Sequence, residues 1–327
     1  MNCFLQLILI QAKKIKCFAC YYSLTKPWGL RVVFWGVSGI LVLLFAERYI
    51  CSAASANGLC ETQKDLTKMG NAKEGKSIAF SRVEQIPLPK SYQRVQVLSQ
   101  SFAAYLRQLP LRTADSRVYL YDGRLKPNQS AQYAVVDLDI GKRDLQQCAD
   151  AIIRLQAEYL YQQQRYQEIA FHFTSGDLAR YQDWTKGMRP KVDGSRVHWQ
   201  QSAQPSEGYA DFRRYLDIVF AYAGTRSLAK ELSPITDVET IQIGDVFIQP
   251  GSPGHAVLVV DMAIHTQTGA KIFLLLQSYM PAQDIHILKN PQSTSLSPWY
   301  GLPAVGGSLY TPEWKFNTSD LRRWPVQ

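Results

Sequence analysis

Residues Gly244–Ala263 read GDVFIQPGSPGHAVLVVDMA. A short apolar run, 245–249, ends in the Gly/Pro-rich loop 250–254. That loop delivers His255 to the mouth of a longer run of strand formers, 256–264, rich in the β-branched and aliphatic residues that suit a buried strand. A second such run, KIFLLLQSYM (271–280), follows the hairpin-length connection HTQTGA. Centring the hairpin near Gln267 sets His255 across from residues 277–279, so Gln277 becomes its polar neighbour. Simple alternation puts Asp261 on the same strand face as His255, but too far along the strand, so it ranks second.

A histidine so placed is half of a catalytic pair only if a nucleophile meets it. The clearest helix upstream is RDLQQCADAIIRLQAEYLYQQQRY (143–166), with apolar positions recurring at Leu145, Ala149, Ile152, Leu155 and Tyr159. Asp144 and Gln147 make a capping box that starts it, which places Cys148 in the first turn. Free N–H groups and the positive dipole end favour thiolate there. Cys148, His255 and Gln277 are therefore the candidate nucleophile, base and orienter. Two other readings stay open: Cys148 as a core residue or paired with Cys60, and His255 as a loop cap.

Around this pair the chain reads as α+β, helices early and strands late. Residues 99–109 and 209–224 have helical spacing, 116–123, 131–141, 169–176 and 196–201 read as strands, and a Pro- and Trp-rich tail from Pro281 wraps the domain. From Ser77 onward there is no second linker or repeat, so 77–327 is read as one domain.

The net charge of +9 is unevenly spread: residues 1–60 hold six Lys/Arg against one acid, the remainder 30 against 26. With no basic block and no basic run interleaved with aromatics, nucleic acid is not the expected partner. Residues 1–56 have the order of an export signal: cations, the apolar run Val32–Ala46, then Ala54-Ser55-Ala56 as a cleavage site. If uncleaved, residues 28–46 become an inner-membrane anchor; either way the body is expected outside the cytoplasm, periplasmic or envelope-associated. Residues 57–76 are a polar linker. Five of the six cysteines lie in or beside this leader, leaving Cys148 alone in the body.

Other motifs carry little. GNAKEGKS (70–77) matches a phosphate loop by letter, but a polar segment precedes it and a proline-bound one follows. The sequons at Asn128 and Asn317 are weak signals. The five histidines are scattered, and Asp284 with His286 on one strand face is only a faint hint, so neither metal nor cofactor is expected. No G-x-S-x-G elbow supports serine catalysis.

Two resemblances follow from these residues. GDVFIQPGSPGHAVLVVD resembles the Gly-Asp, Gly-His, apolar-strand segment of NlpC-type papain-like cell-wall peptidases. That resemblance implies a papain-like domain with a core antiparallel sheet packed on an N-terminal cysteine-bearing helix. It implies Cys148 as nucleophile, His255 as base and Gln277 as third polar residue; Asp261, from its strand position, and Asp245 of the Gly-Asp are secondary candidates. The family's Asp-Cys-Ser-Gly reads Gln147-Cys148-Ala149-Asp150 here, and the longer Cys-to-His separation implies an insertion over 170–225. Separately, DLQQCADAIIRLQAEYLY, GDVFIQPGSPGHAVLVVDMA, QSYMPAQDIHILKNP, SPWY and TPEW–LRRW resemble the uncharacterised bacterial family called domain of unknown function 4846. The expectation is an exported cysteine hydrolase or transferase acting on an amide, in cell-wall peptide. The alternative is a non-catalytic envelope module holding glycan or peptide in an aromatic cleft of Trp184, Trp199, Tyr279, Trp299 and Tyr300.

Overall fold

The long apolar run after His255 becomes the central strand of a nine-stranded antiparallel sheet. The structure, a computed structural model, describes residues 79–325; the export segment, the linker and Cys60 lie outside them. The strands of the sheet are β1 (Tyr92–Arg94), β2 (Gln132–Val135), β3 (Ser233–Pro234), β4 (Val246–Gln249), β5 (His255–His265), β6 (Lys271–Gln277), β7 (His286–Leu288), β8 (Tyr300–Gly301) and β9 (Leu321–Arg323). They lie in the order β2-β7-β6-β5-β4-β9-β3, with β1 also paired to β5 and β8 to β6. The helices that matter are α1 (Phe102–Arg107), α2 (Cys148–Gln162), α3 (Tyr209–Tyr222) and α4 (Thr225–Glu231). The fold is α+β, as the pattern of elements implies. Among the described residues no helix is long and apolar enough to cross a membrane.

Alternation along β5 and β6 feeds two cores, which is why both strands read as continuous apolar runs. Ala256, Leu258, Val260, Leu274 and Leu276 pack with Ile152 and Leu155 of α2. Val257, Val259, Phe273 and Leu275 face the other way, onto Leu309 and Phe316 of the tail. Each fully buried Val, Leu, Ile or Phe among them contributes roughly 1.5–3 kcal/mol. The tail supplies this second cover as the hairpin Ser308–Tyr310/Lys315–Asn317.

Three expectations are corrected. Residues 116–123 form no strand: only bridges Tyr119–Leu125 and Leu120–Gln283 occur there. The Tyr119 N–H goes to the Asp284 carboxylate at 2.8 Å instead of to a ladder partner. The helix at 143–166 starts later, at Cys148, and its box is Gln147/Asp150: the Gln147 N–H donates to Asp150 Oδ2 at 3.0 Å. Asp144 instead accepts from the Ala282 N–H, 2.7 Å, tying the approach to α2 to the loop after β6. Third, Asp261 is not on the face of His255. A bulge makes Leu274 pair with Asp261 but Leu275 with Val259, so Asp261 takes the Leu274 side of the sheet.

Residues 170–225 hold two small hairpins, Ala170–His172/Leu178–Arg180 and Met188–Asp193/Arg196–Gln201, and α3.

Candidate functional site

Cys148 is the first residue of α2, and α2 packs along β5. Its Sγ lies 3.9 Å from the Gly254 carbonyl oxygen. The N–H groups of Ala149 and Ala256 also point at the sulfur. The helix start therefore abuts the backbone on both sides of His255. Cys148 is a free, buried thiol. Its pKa is pushed up to about 12, first by burial and then by the Asp150 carboxylate in the same turn; the surrounding N–H groups oppose this and lose. The thiolate expected from the helix dipole is thus not the resting species.

His255 is 1% exposed and sits at the start of β5. Glycine precedes it for a packing reason: a Cβ at Gly254 would come within 2.5 Å of Thr225 Oγ1 and 2.7 Å of the Gly251 nitrogen. Its ring lies among Tyr279, Trp314 and Phe316, with centroids 4.8, 5.2 and 5.8 Å away. Nε2 meets Gln277 Oε1 at 2.8 Å. Gln277 is the diagonal neighbour of His255, because register pairs Leu276 with Leu258.

The Gln277 amide is oriented from behind. Its Nε2 donates to Glu313 Oε2 at 2.8 Å and lies 3.2 Å from His286 Nε2. His286 Nδ1 donates to the Asp284 carbonyl at 2.9 Å, so His286 Nε2 is an acceptor. Both amide hydrogens are then used, and Oε1 is left to accept from His255 Nε2–H. This network assigns His255 the Nε2–H tautomer, with the lone pair on Nδ1. Glu313 is held in turn by Lys126 Nζ at 2.5 Å and Asn128 Nδ2 at 3.1 Å.

Burial lowers the His255 pKa to about 4, against the opposing pull of Gln277 and Glu313. Burial lowers His286 to about 3. Thiol and imidazole are both neutral near pH 7. No resting thiolate–imidazolium ion pair is therefore populated.

Both secondary candidates are bound elsewhere. Asp261, fully buried, accepts from Arg107 Nε at 2.6 Å and Arg94 Nε at 2.7 Å. Asp245, fully buried, pairs with Arg323 at 2.6 Å and accepts from the Gln242 N–H at 2.9 Å, closing the turn before β4. Asp284 pairs with Arg112 at 3.1 Å. Among the described residues no cluster of three or more His, Cys, Asp and Glu could hold a metal.

The five aromatics expected to form a cleft are dispersed. Trp184 and Trp299 are buried, the first stacked under Arg189 at 3.7 Å and the second donating to the Pro87 carbonyl at 2.8 Å. Tyr300 is buried against Phe273, and Trp199 faces Phe173. Of these five only Tyr279 stands beside His255. Glu313 and Lys126 escaped the sequence reading, while Asn128 was noted only as a sequon and His286 only as a faint metal hint. The one signal for Glu313 was an acid set between Pro312 and Trp314 in an aromatic-rich tail.

The family model described as domain of unknown function 4846 matches residues 83–323. No curated protein and no solved structure matches the chain.

Proposed function

This chain belongs to the family of domain of unknown function 4846, and on that premise we propose that it is a papain-like cysteine hydrolase or transferase acting on an amide bond, in cell-wall peptide outside the cytoplasm. One observation carries the reading: the Nε2–H of His255 is held by Gln277 at 2.8 Å, while Cys148, at the start of α2, lies against the residues flanking that histidine.

In this reading Cys148 Sγ attacks the scissile carbonyl carbon as its proton moves to His255 Nδ1. The backbone N–H of Cys148 donates to the developing oxyanion. Gln277 Oε1, with Glu313 behind it, favours the imidazolium that forms. The imidazolium then protonates the leaving amine, and a thioester remains on Cys148. Water, deprotonated by His255, or an acceptor amine attacks the thioester and releases the acid or the new amide, restoring the thiol.

A second reading is favoured by the burial of both groups and by the thiol pKa of about 12: a non-catalytic envelope module on the same fold. The two separate on one assay. Wall peptides are incubated with the wild type, Cys148→Ser and His255→Ala, and products are weighed by mass spectrometry. Catalysis predicts turnover lost in both variants while each remains folded at the assay temperature. Equal turnover in Cys148→Ser sinks the cysteine mechanism, and retained binding without turnover in any of the three leaves the binding module.

A further inference from the structure

A cleft of about 760 Å³ opens beside the loop that carries His255, between the hairpin Ala170–His172/Leu178–Arg180, α4 and β9. Arg226 and Lys230 reach it from α4 and Arg322 from β9. None of the three makes an ion pair among the described residues. Arg322 Nε is buried and has no acceptor among the described residues, which costs free energy.

The one carboxylate in the wall does not neutralise these cations. Glu231 is turned to the opposite rim, where its Oε1 takes the His172 backbone N–H and lies 3.3 Å from His172 Nδ1. Burial raises its pKa to about 7. Phe173, Ala229 and Pro250 supply apolar wall between the charges. A concave site with apolar lining and three cations that make no ion pair among the described residues favours an anion.

We propose that this cleft binds a ligand carrying an anionic group, a carboxylate or a phosphate, held by Arg226, Lys230 and Arg322, with an apolar portion against Phe173 and Pro250. The site is separate from the Cys148–His255 pair and does not depend on its chemistry.

The test is calorimetric titration of the full-length protein at low salt with three probes: inorganic phosphate, N-acetyl-alanyl-alanine, and the C-terminal amide of that dipeptide. At least one anion binds, and the amide does not. Binding of phosphate alone identifies a phosphate-bearing ligand; binding of the free-acid dipeptide identifies a carboxylate. The double variant Arg226→Gln/Lys230→Gln, exposed on α4, weakens the anion by about tenfold or more. Arg226→Lys retains it, which separates charge from folding. Cys148→Ser leaves it unchanged, so this proposal and the amide-hydrolysis reading fail independently. No binding by either anion, or equal affinity in the double variant, overturns it.

Discussion

Glu313 accepts a hydrogen bond from Gln277, Oε2 to Nε2 at 2.8 Å, and so decides which way the Gln277 amide faces. An amide turned the other way would put a donor against His255 Nε2 and move the ring proton to Nδ1. A tail residue thus sets the tautomer of a histidine on the central strand. The expected ¹⁵N spectrum at pH 7 has His255 protonated at Nε2 and bare at Nδ1. Protonation at Nδ1 would refute the assigned network.

Glu313 also neutralises Lys126, whose side chain is 4% exposed. Glu313→Ala strands that ammonium and costs about 3 kcal/mol. Lys126→Met combined with Glu313→Gln should recover more than half of the loss. Urea denaturation of the two variants checks this, and equal instability would show that the pairing is not the source.

The Cys148 thiol is pushed up to about 12, so at pH 8 only about one molecule in 10⁴ holds a thiolate. Iodoacetamide should therefore label native Cys148 at least about a hundredfold more slowly than free cysteine. Asp150→Asn removes the nearest opposing charge and speeds labelling. A native rate equal to that of free cysteine would contradict the burial.

Folded His255 and His286 titrate at about 4 and about 3, below the ordinary 6.5. The unfolded chain therefore binds more protons between these values and pH 6.5. Their contribution is complete above about 6.5 and is lost as pH falls through that window, by about 3 kcal/mol or more for each. His286→Gln should flatten the acid limb of the melting temperature against pH. In the amide-hydrolysis reading, the acid limb of kcat/KM lies near pH 4, not near 6.5. Glu231 has the opposite sign: raised from 4.5 to about 7, it stabilises below 4.5 and loses that contribution as pH rises through 7. Glu231→Gln is then more stable than wild type at pH 8 by about 3 kcal/mol, a gain absent at pH 4.

Asp261→Asn leaves Arg107 and Arg94 without their shared carboxylate and should cost about 3–5 kcal/mol in urea denaturation. In the amide-hydrolysis reading the folded variant keeps its kcat/KM, because the Asp261 carboxylate is held by Arg107 and Arg94 and not by His255. A selective loss of kcat at full stability would restore Asp261 as a site residue.

Short-range patterns carried much of this molecule. Helical spacing marked α2, unbroken apolar runs marked β5 and β6, and the short connection between them set the register that brings Gln277 to His255. These are local consequences of side-chain period and turn length, so one sequence contains them. Asp261 shows where that logic stops: alternation put it on the His255 face, and one bulge reversed it. Cys148 shows a second limit. Its place in the first turn was readable, but the sign of its pKa shift came from burial and a neighbouring carboxylate, which depend on what packs above. The roles of Glu313, Lys126 and His286 were beyond reach, because Glu313 and His286 meet Gln277, and Lys126 meets Glu313, only after the tail folds back across the sheet. The two hairpin strands, the cysteine helix and the His255–Gln277 neighbourhood were legible from local pattern, since each is a relation among residues close in the chain. Tertiary structure alone decided which face Asp261 takes, which protonation states are populated and which buried charges meet, since those follow from contacts between segments far apart in the chain.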